Sequence, residues 1–139
     1  MDKPDEVLWL HGAFLEAGAD IILTNSFGAN APRLRLHHAE YRVAELNAAA
    51  AQLARKATHQ HSEDTGRETV VVGSIGPTSE LFETMVTLTH TNTMAYFAEQ
   101  ADALAEGGAD VIWIETMSSL EEVAAAEAAR ATGRRSAPL

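Results

Sequence analysis

The sequence predicts an α/β fold in which short parallel strands alternate with helices. Three short apolar runs, ADIILTN, TVVVGSI and DVIWIE, have the composition of buried parallel strands. The segments between these runs carry apolar residues at spacings of three and four, which is the period of an amphipathic helix. The resulting order of helix, strand, helix, strand, helix, strand and helix indicates right-handed βαβ units around a parallel sheet.

Length, composition and charge narrow the classes of protein to which the chain can belong. Its 139 residues, 46% of them hydrophobic and 22% charged, predict one globular domain with a packed core. The formal net charge of -10 disfavours binding to nucleic acids and to anionic membranes. No apolar stretch reaches the roughly 18 residues of a membrane span and no leader pattern is visible, so we expect a soluble, cytoplasmic protein. The chain has no cysteine, which excludes disulfides, thiolate nucleophiles and cysteine-ligated metal sites within it.

The predicted elements form one domain over residues 3–133, followed by an irregular tail over residues 134–139. The first elements in chain order are a helix over 3–17, a strand over 19–25, a short helical turn or loop over 30–36 and a helix over 43–57. They are followed by a strand over 69–75, a helix between residues 90 and 107 with apolar positions from 94 to 104, a strand over 110–115 and a helix from 118 to 133.

Start and stop signals set the boundaries of the first elements. Pro4 suits a first helical turn, and Gly18 ends the first helix. Pro32 restricts the segment before the long helix to a short turn. The alanine-rich pattern of that long helix is typical of a helix that packs closely on a sheet. The polar, glycine-containing segment HQHSEDTGRE after it predicts a surface connection.

Start and stop signals also set the boundaries of the elements in the second half of the sequence. A glycine and a proline stop the second strand, and a loop over residues 78–90 precedes the next helix. Two glycines close that helix immediately before the third strand. Ser118 and Glu121 then form a capping-box pattern that predicts the start of the last helix.

Polar residues stand at the carboxyl ends of the three predicted strands, where barrels and open α/β sheets bind their ligands. These residues are Asn25, Ser74 and Glu115. The segments EAGADIILTN and EGGADVIWIE match at an offset of 90 residues, which places Asn25 and Glu115 at equivalent positions. Two interpretations are open for each residue: ligand binding, or capping and pairing with a neighbouring loop.

Two other patterns predict no site. The run GSIGPT lacks the lysine and the glycine spacing of a phosphate-binding loop. The histidines His37, His38, His59 and His61 are interpreted as solvated surface groups, because adjacent side chains on a helix do not converge on one ion.

At GADIILTNSFGAN, VVVGSIGPT and GGADVIWIETMSSLEE the chain resembles the homocysteine S-methyltransferase family, most closely its bacterial betaine-dependent members. The resemblance implies a partial (β/α)8 barrel, with about three parallel strands and flanking helices. It also implies methyl transfer from a small donor such as betaine to homocysteine, giving methionine. In the family, a zinc ion held by cysteine thiolates binds the homocysteine sulfur.

The resemblance assigns substrate-binding roles to three residues and catalytic or metal-binding roles to none. Glu115, in IET, resembles the family glutamate that holds the homocysteine amino group. Asn25, in TNSF, and Ser74, in GSIGP, resemble strand-end residues that line the pocket. A carboxylate in this position binds an ammonium through a charge-assisted hydrogen bond.

The resemblance also implies parts that this sequence does not show. The family's first strand should precede the first helix, and its zinc cysteines lie in later strands. We therefore interpret the chain as a truncated or frameshifted segment that alone is inactive, holds no zinc and self-associates through its open sheet edges. The alternative is a non-catalytic half-barrel that acts only through self-association or partner binding.

Overall fold

The structure is a computed structural model that describes residues 3–78 and 90–132. In chain order its elements are α1 (Pro4–Glu16), β1 (Ile21–Leu23), α2 (Ala31–Arg35), a short 3-10 helix (Glu40–Arg42), α3 (Val43–Thr65), β2 (Val70–Ile75), α4 (His90–Glu106), β3 (Val111–Ile114) and α5 (Leu120–Thr132). The alternation of helices and strands predicted from the sequence is confirmed. The predicted loop within residues 79–89 and the predicted tail at 134–139 lie outside the described residues.

The three strands form one parallel sheet in the order β1-β2-β3. Leu23 of β1 lies opposite Val72 of β2, which in turn lies opposite Val111 of β3. Further along β2 and β3, Ser74 lies opposite Trp113. Because facing residues in a parallel sheet point to the same side, this register divides the side chains into a helix-facing set and an open-facing set.

The helices cover one face of the sheet. Buried apolar residues form two clusters there, one of Leu15, Ile22, Ala54, Ala57 and Val71, and one of Ala51, Ile75, Phe97, Leu104, Ala125, Ala126 and Ala129. The small side chains of α3 and α5 let these helices approach the core closely, which explains their alanine-rich sequences. Gly73 acts in the same way, since an added methyl group would lie only 3.1 Å from the Leu104 side chain of α4.

The opposite face of the sheet is open among the described residues. Its exposed apolar side chains are Ile21, Leu23, Val70, Val111 and Trp113, each 40–50% exposed. A single solvated face of this kind is unusual for a parallel sheet, which normally has both faces covered. We refer to these five residues as the open sheet face.

Some predicted boundaries are wrong, and β1 covers only Ile21–Leu23 of the predicted residues 19–25. The helix predicted to end at residue 57 continues to Thr65, through most of the segment interpreted as a connection. Exposed polar residues suit a solvated helix as well as a loop, and the element ends where Gly66 adopts a left-handed φ of 73° and donates to the Ser62 carbonyl at 2.8 Å. The capping pair of the last helix is Ser119 with Glu122, one residue later than the predicted pair.

Across residues 3–78 and 90–132, none of the helices combines the length and the hydropathy that crossing a membrane requires.

Candidate functional site

Two of the three predicted site residues meet at the carboxyl edge of the sheet. Ser74, in β2, is buried, and its hydroxyl donates a 2.5 Å hydrogen bond to Oε1 of Glu115. Glu115 directly follows β3, and its backbone N–H donates to the Ile75 carbonyl at 3.0 Å. The carboxylate of Glu115 is therefore oriented from one side by a buried hydroxyl, while the side chain itself remains partly exposed.

Glu115 has no cationic partner in the part of the chain that the structure describes. A carboxylate that is held in place and not neutralised by a lysine or arginine can accept a charge-assisted hydrogen bond from a ligand. The geometry therefore favours recognition of a small cationic group at this edge.

Asn25 lies two residues beyond the end of β1, and its side chain is exposed. It makes no hydrogen bond to Ser74 or Glu115 in residues 3–78 and 90–132. By strand alternation it follows Ile21 and Leu23 on the open side of the sheet. The structure thus places Asn25 at the same edge as the other two residues without joining it to them.

A buried cluster of hydroxyl groups supports Ser74 from β1. The Thr24 and Ser26 hydroxyl oxygens lie 2.6 Å apart, and the Ser26 hydroxyl donates to the Ser74 carbonyl at 2.7 Å. The Ser74 N–H donates to Oγ1 of Thr24 at 3.0 Å. Because the single proton of Ser26 is used toward Ser74, the Thr24 hydroxyl is the donor between Thr24 and Ser26. The cluster fixes the backbone of Ser74 on both sides.

The residue after Glu115 has an uncommon backbone conformation. Thr116 has a φ of 57°, in the left-handed region that β-branched residues rarely adopt. Such a conformation costs about 1–3 kcal/mol and persists where the surrounding structure imposes it. The sharp turn at Thr116 directs the chain away from the sheet immediately after Glu115.

Phe27 and Gly76 contact each other beside Ser74, at the carboxyl edge of the sheet. The Gly76 N–H donates to the Phe27 carbonyl at 3.0 Å. A methyl group at Gly76 would lie 2.5 Å from the Phe27 ring, so only glycine allows the ring to rest on this loop. This contact explains the second glycine of the GSIGP motif and brings the loops after β1 and β2 together.

Glu122 ties the loop after β2 to the start of α5, and the sequence did not predict this role. Its side chain is fully buried, and Oε1 accepts from the N–H and the hydroxyl of Thr78 at 2.9 and 2.6 Å. Its other oxygen accepts from the Ser118 N–H at 3.0 Å. A glutamate three residues after Ser119 was the available signal, but the neighbouring pair with the same spacing obscured it.

The donor set of the chain does not fit a thiolate-bound metal. There is no cysteine in the sequence, and the described residues contain no group of three histidine, aspartate or glutamate side chains able to hold an ion. His37, His38 and His59 are exposed, as predicted, whereas Nε2 of His61 is shielded and lacks a hydrogen-bond partner among the described residues. No chemical step is therefore assigned to a metal held by this chain.

Comparison with known proteins identifies a family. The family model for homocysteine S-methyltransferase matches residues 1–138. The chain is 32% identical over 127 residues to methionine synthase from Mycobacterium tuberculosis (strain ATCC 25618 / H37Rv), covering 89% of this chain and 10% of that protein.

Solved structures of the homocysteine methyltransferase MmuM from Escherichia coli share the fold. The metallated form superposes with a TM-score of 0.80 at 22% identity, over 96% of this chain and 51% of that one. The oxidized form gives a TM-score of 0.78 at 23% identity, over 96% and 50% of the two chains. The three-stranded sheet with its helices therefore corresponds to part of a (β/α)8 barrel, as expected from the sequence. The chain spans about half the length of these solved relatives.

Proposed function

Because the chain belongs to the homocysteine S-methyltransferase family, we propose that it forms the part of a methyl-transfer site that recognises the amino group of homocysteine. The single observation that carries this proposal is the hydrogen bond from Ser74 to Glu115 at the carboxyl edge of the sheet. It leaves an oriented, negatively charged oxygen pair at the edge where barrel enzymes bind substrates.

In this proposal Glu115 accepts a hydrogen bond from the ammonium group of homocysteine, and Ser74 fixes the direction of the carboxylate. Asn25, exposed at the end of β1, lines the same pocket and offers both a donor and an acceptor to the polar end of the substrate. Holding a small amino acid at its ammonium group sets the direction in which its sulfur points.

The reaction proposed for the complete site is transfer of a methyl group to the homocysteine sulfur. The thiol releases its proton, the sulfur forms a new bond to the methyl carbon, and the electron pair of the broken methyl–donor bond stays with the donor. The products are methionine, the demethylated donor and one proton. The motif resemblance favours a small donor such as betaine. A zinc ion that activates the sulfur would be held by cysteines that this sequence does not contain, so we expect the isolated chain to bind substrate without turnover.

The open sheet face requires a cover in the working protein. Its five apolar side chains are 40–50% exposed, and both β1 and β3 have an unpaired edge among the described residues. Exposed apolar surface of this kind favours association at about 25 cal/mol per Å2 removed from water. We propose that the isolated chain covers this face by self-association, and that in a complete barrel the remaining strands cover it.

The proposed function is tested by comparing two ligands that differ only in the amino group. L-homocysteine and 4-sulfanylbutanoic acid are titrated into isotopically labelled chain, and backbone amide shifts are followed by NMR. We expect L-homocysteine to shift the amides of Ser74, Glu115 and Thr116, and the analogue without the amino group to leave them unchanged. Equal shifts with both ligands, or shifts confined to other parts of the chain, would contradict the proposal.

A further inference from the structure

Gln100 is a polar residue in the apolar interior of the helix layer. It lies in α4 between Phe97 and Leu104, which occupy the same buried face one turn away on either side. All three side chains are buried, and Gln100 is fully so. Its position in the helical pattern suits an apolar residue, and an amide there is unfavourable unless its polar atoms find partners.

The amide of Gln100 binds the loop that follows β1. Nε2 donates to the Ser26 carbonyl at 2.8 Å and to Oδ1 of Asn47 in α3 at 3.2 Å. Asn47 is also fully buried, and its Nδ2 donates to the Ala29 carbonyl at 2.8 Å. Helices α3 and α4 therefore hold two carbonyls of one loop, those of Ser26 and Ala29, beside the edge that carries the candidate site.

Only the nitrogen of the Gln100 side-chain amide is hydrogen-bonded. Its Oε1 is buried without a hydrogen-bond partner among the described residues, whereas both protons of Nε2 are used. A buried amide with one unpaired atom destabilises the fold compared with an apolar side chain of the same shape. The cost of the unpaired Oε1 is offset only by the two donated bonds, to Ser26 and Asn47. An unpaired buried atom of this kind calls for an explanation, and the contacts that Nε2 makes provide one.

The loop after β1, which Gln100 contacts, is connected by hydrogen bonds to the Glu115 carboxylate. The Ser26 hydroxyl donates to the Ser74 carbonyl, and the Ser74 hydroxyl donates to Glu115. Hydrogen bonds of 2.8, 2.7 and 2.5 Å therefore connect Gln100, Ser26, Ser74 and Glu115 in series, because each serine accepts at its carbonyl and donates from its hydroxyl. This series links helix α4, on the far side of the sheet, to the site edge.

We propose that Gln100 is a positioning residue for the substrate ammonium, acting through Ser26 and Ser74 on the orientation of the Glu115 carboxylate. This inference rests on the proposed function. It adds that a buried residue, which does not contact the substrate, orients the Glu115 carboxylate. Losing the Nε2 donor releases the Ser26 carbonyl, which lets the Ser26 hydroxyl shift from Ser74, Ser74 change its rotamer and Glu115 turn toward solvent.

The test compares Gln100→Met with Phe97→Leu. Methionine keeps the length of glutamine without its donor, and it also removes the unpaired Oε1, so we expect the variant to fold. Phe97→Leu disturbs the same face of α4 one turn away and touches no hydrogen bond of the series. Stability of both variants is measured by denaturant unfolding, so that positioning and packing effects are separated.

The first readout needs no ligand. Three-bond proton couplings give the χ1 rotamer of Ser74, and the carboxyl carbon shift of Glu115 reports its hydrogen bond. In Gln100→Met we expect Ser74 to average over rotamers and the Glu115 signal to move toward that of a solvent-exposed glutamate. Phe97→Leu should keep both wild-type signals. Wild-type signals in Gln100→Met, or equal changes in both variants, would overturn the inference.

The second readout is affinity. L-homocysteine should bind Gln100→Met three- to tenfold more weakly than the wild type, while binding of 4-sulfanylbutanoic acid stays unchanged. If the wild type itself does not prefer L-homocysteine, the proposed function fails, and the ligand-free signals alone then decide the role of Gln100. Should Gln100→Met not fold, Ser26→Ala interrupts the same series at its next residue, and unchanged Ser74 and Glu115 signals in that variant would overturn the inference.

Discussion

Glu122 and Thr78 lie 44 residues apart in sequence, yet one oxygen of the Glu122 carboxylate accepts both the N–H and the hydroxyl of Thr78. The second oxygen accepts from Ser118 at the start of α5. A fully buried carboxylate is thus stabilised by three hydrogen bonds, two of them from backbone N–H groups near a helix N-terminus. This arrangement fixes the loops after β2 and β3 to each other beside the candidate site.

Replacing this carboxylate should destabilise the fold. Glu122→Gln keeps one acceptor oxygen but presents an NH2 group to the Ser118 N–H, so two donors face each other beside the buried Glu122 position. We expect the free energy of unfolding to fall by about 1–3 kcal/mol in denaturant titrations. The exposed neighbour Glu121 provides the control. Glu121→Gln should change the free energy of unfolding by less than about 0.5 kcal/mol. Equal effects of the two substitutions would show that the buried bonds contribute nothing.

Asp110 should make stability depend on pH in the acid range. Burial acts to raise the pKa of its carboxyl, but hydrogen bonds from Arg55 and from the Val71 N–H, with the Arg55 charge, hold the pKa below its ordinary value of 3.8. The bound carboxylate therefore stabilises the fold above that value, and this contribution is lost as pH falls through the lowered pKa.

Unfolding titrations of Asp110→Asn against wild type test this dependence. The stability advantage of the wild type should be constant above about pH 5 and shrink below pH 4. Asp20, at the equivalent place before β1, pairs with Arg67 while largely exposed, so Asp20→Asn should change stability by at most about 1 kcal/mol. An advantage over Asp110→Asn that stays constant down to pH 2 would contradict the prediction.

His11 should make the chain less stable as pH falls below neutrality. Its side chain is only 5% exposed, Nε2 has no partner among the described residues, and burial lowers its pKa from 6.5. The unfolded chain takes up a proton below pH 6.5 while the folded chain does not, so the free energy of unfolding decreases from there down to the lowered pKa.

The corresponding measurement is thermal or denaturant unfolding of His11→Leu between pH 7.5 and 5. The stability of this variant relative to wild type should rise steadily as pH falls through 6.5. His59→Gln, which replaces an exposed imidazole, is the matched control variant. Parallel profiles for wild type and His11→Leu would show that His11 is protonated without consequence for the fold.

The open sheet face should control the association state. We expect light scattering to show concentration-dependent association of the wild type, together with binding of a dye that reports apolar surface. Leu23→Lys places a charge on this face, in the edge strand β1, and should shift the chain toward monomer. Leu36 is an exposed apolar residue away from the sheet, so Leu36→Lys should leave the association state unchanged. A compact wild-type monomer at high concentration without dye binding would exclude the association.

The strands could be predicted because burial in a parallel sheet demands continuous apolar runs, and these stand out from their surroundings. Their ends also predicted where polar residues gather, and Ser74 and Glu115 do meet there. The end of α3 could not be predicted in the same way, because residues 59–65 are equally polar in an exposed helix and in a loop. Only the left-handed conformation of Gly66 distinguishes the two.

Gln100 and Glu122 were missed for a different reason. Their roles depend on partners 74 and 44 residues away, Ser26 and Thr78, and no local spacing encodes such a contact. For Glu122 the capping motif gave a partial signal, but Ser118 with Glu121 fits the same pattern. For Gln100 the only signal is a polar residue on an otherwise apolar helix face, and that pattern by itself does not identify a partner.

Recognition of the substrate ammonium by Glu115 is tested most directly by the dissociation constant of L-homocysteine for Glu115→Gln and wild-type chain. Glutamine keeps the shape and the bond to Ser74 but removes the charge, so the ammonium loses a charge-assisted hydrogen bond of about 1.5–3 kcal/mol. We predict that affinity falls roughly tenfold to a hundredfold. Glu127→Gln, which removes an exposed charge on α5, should leave it unchanged. Equal affinity of wild type and Glu115→Gln would show that Glu115 does not bind the amino group.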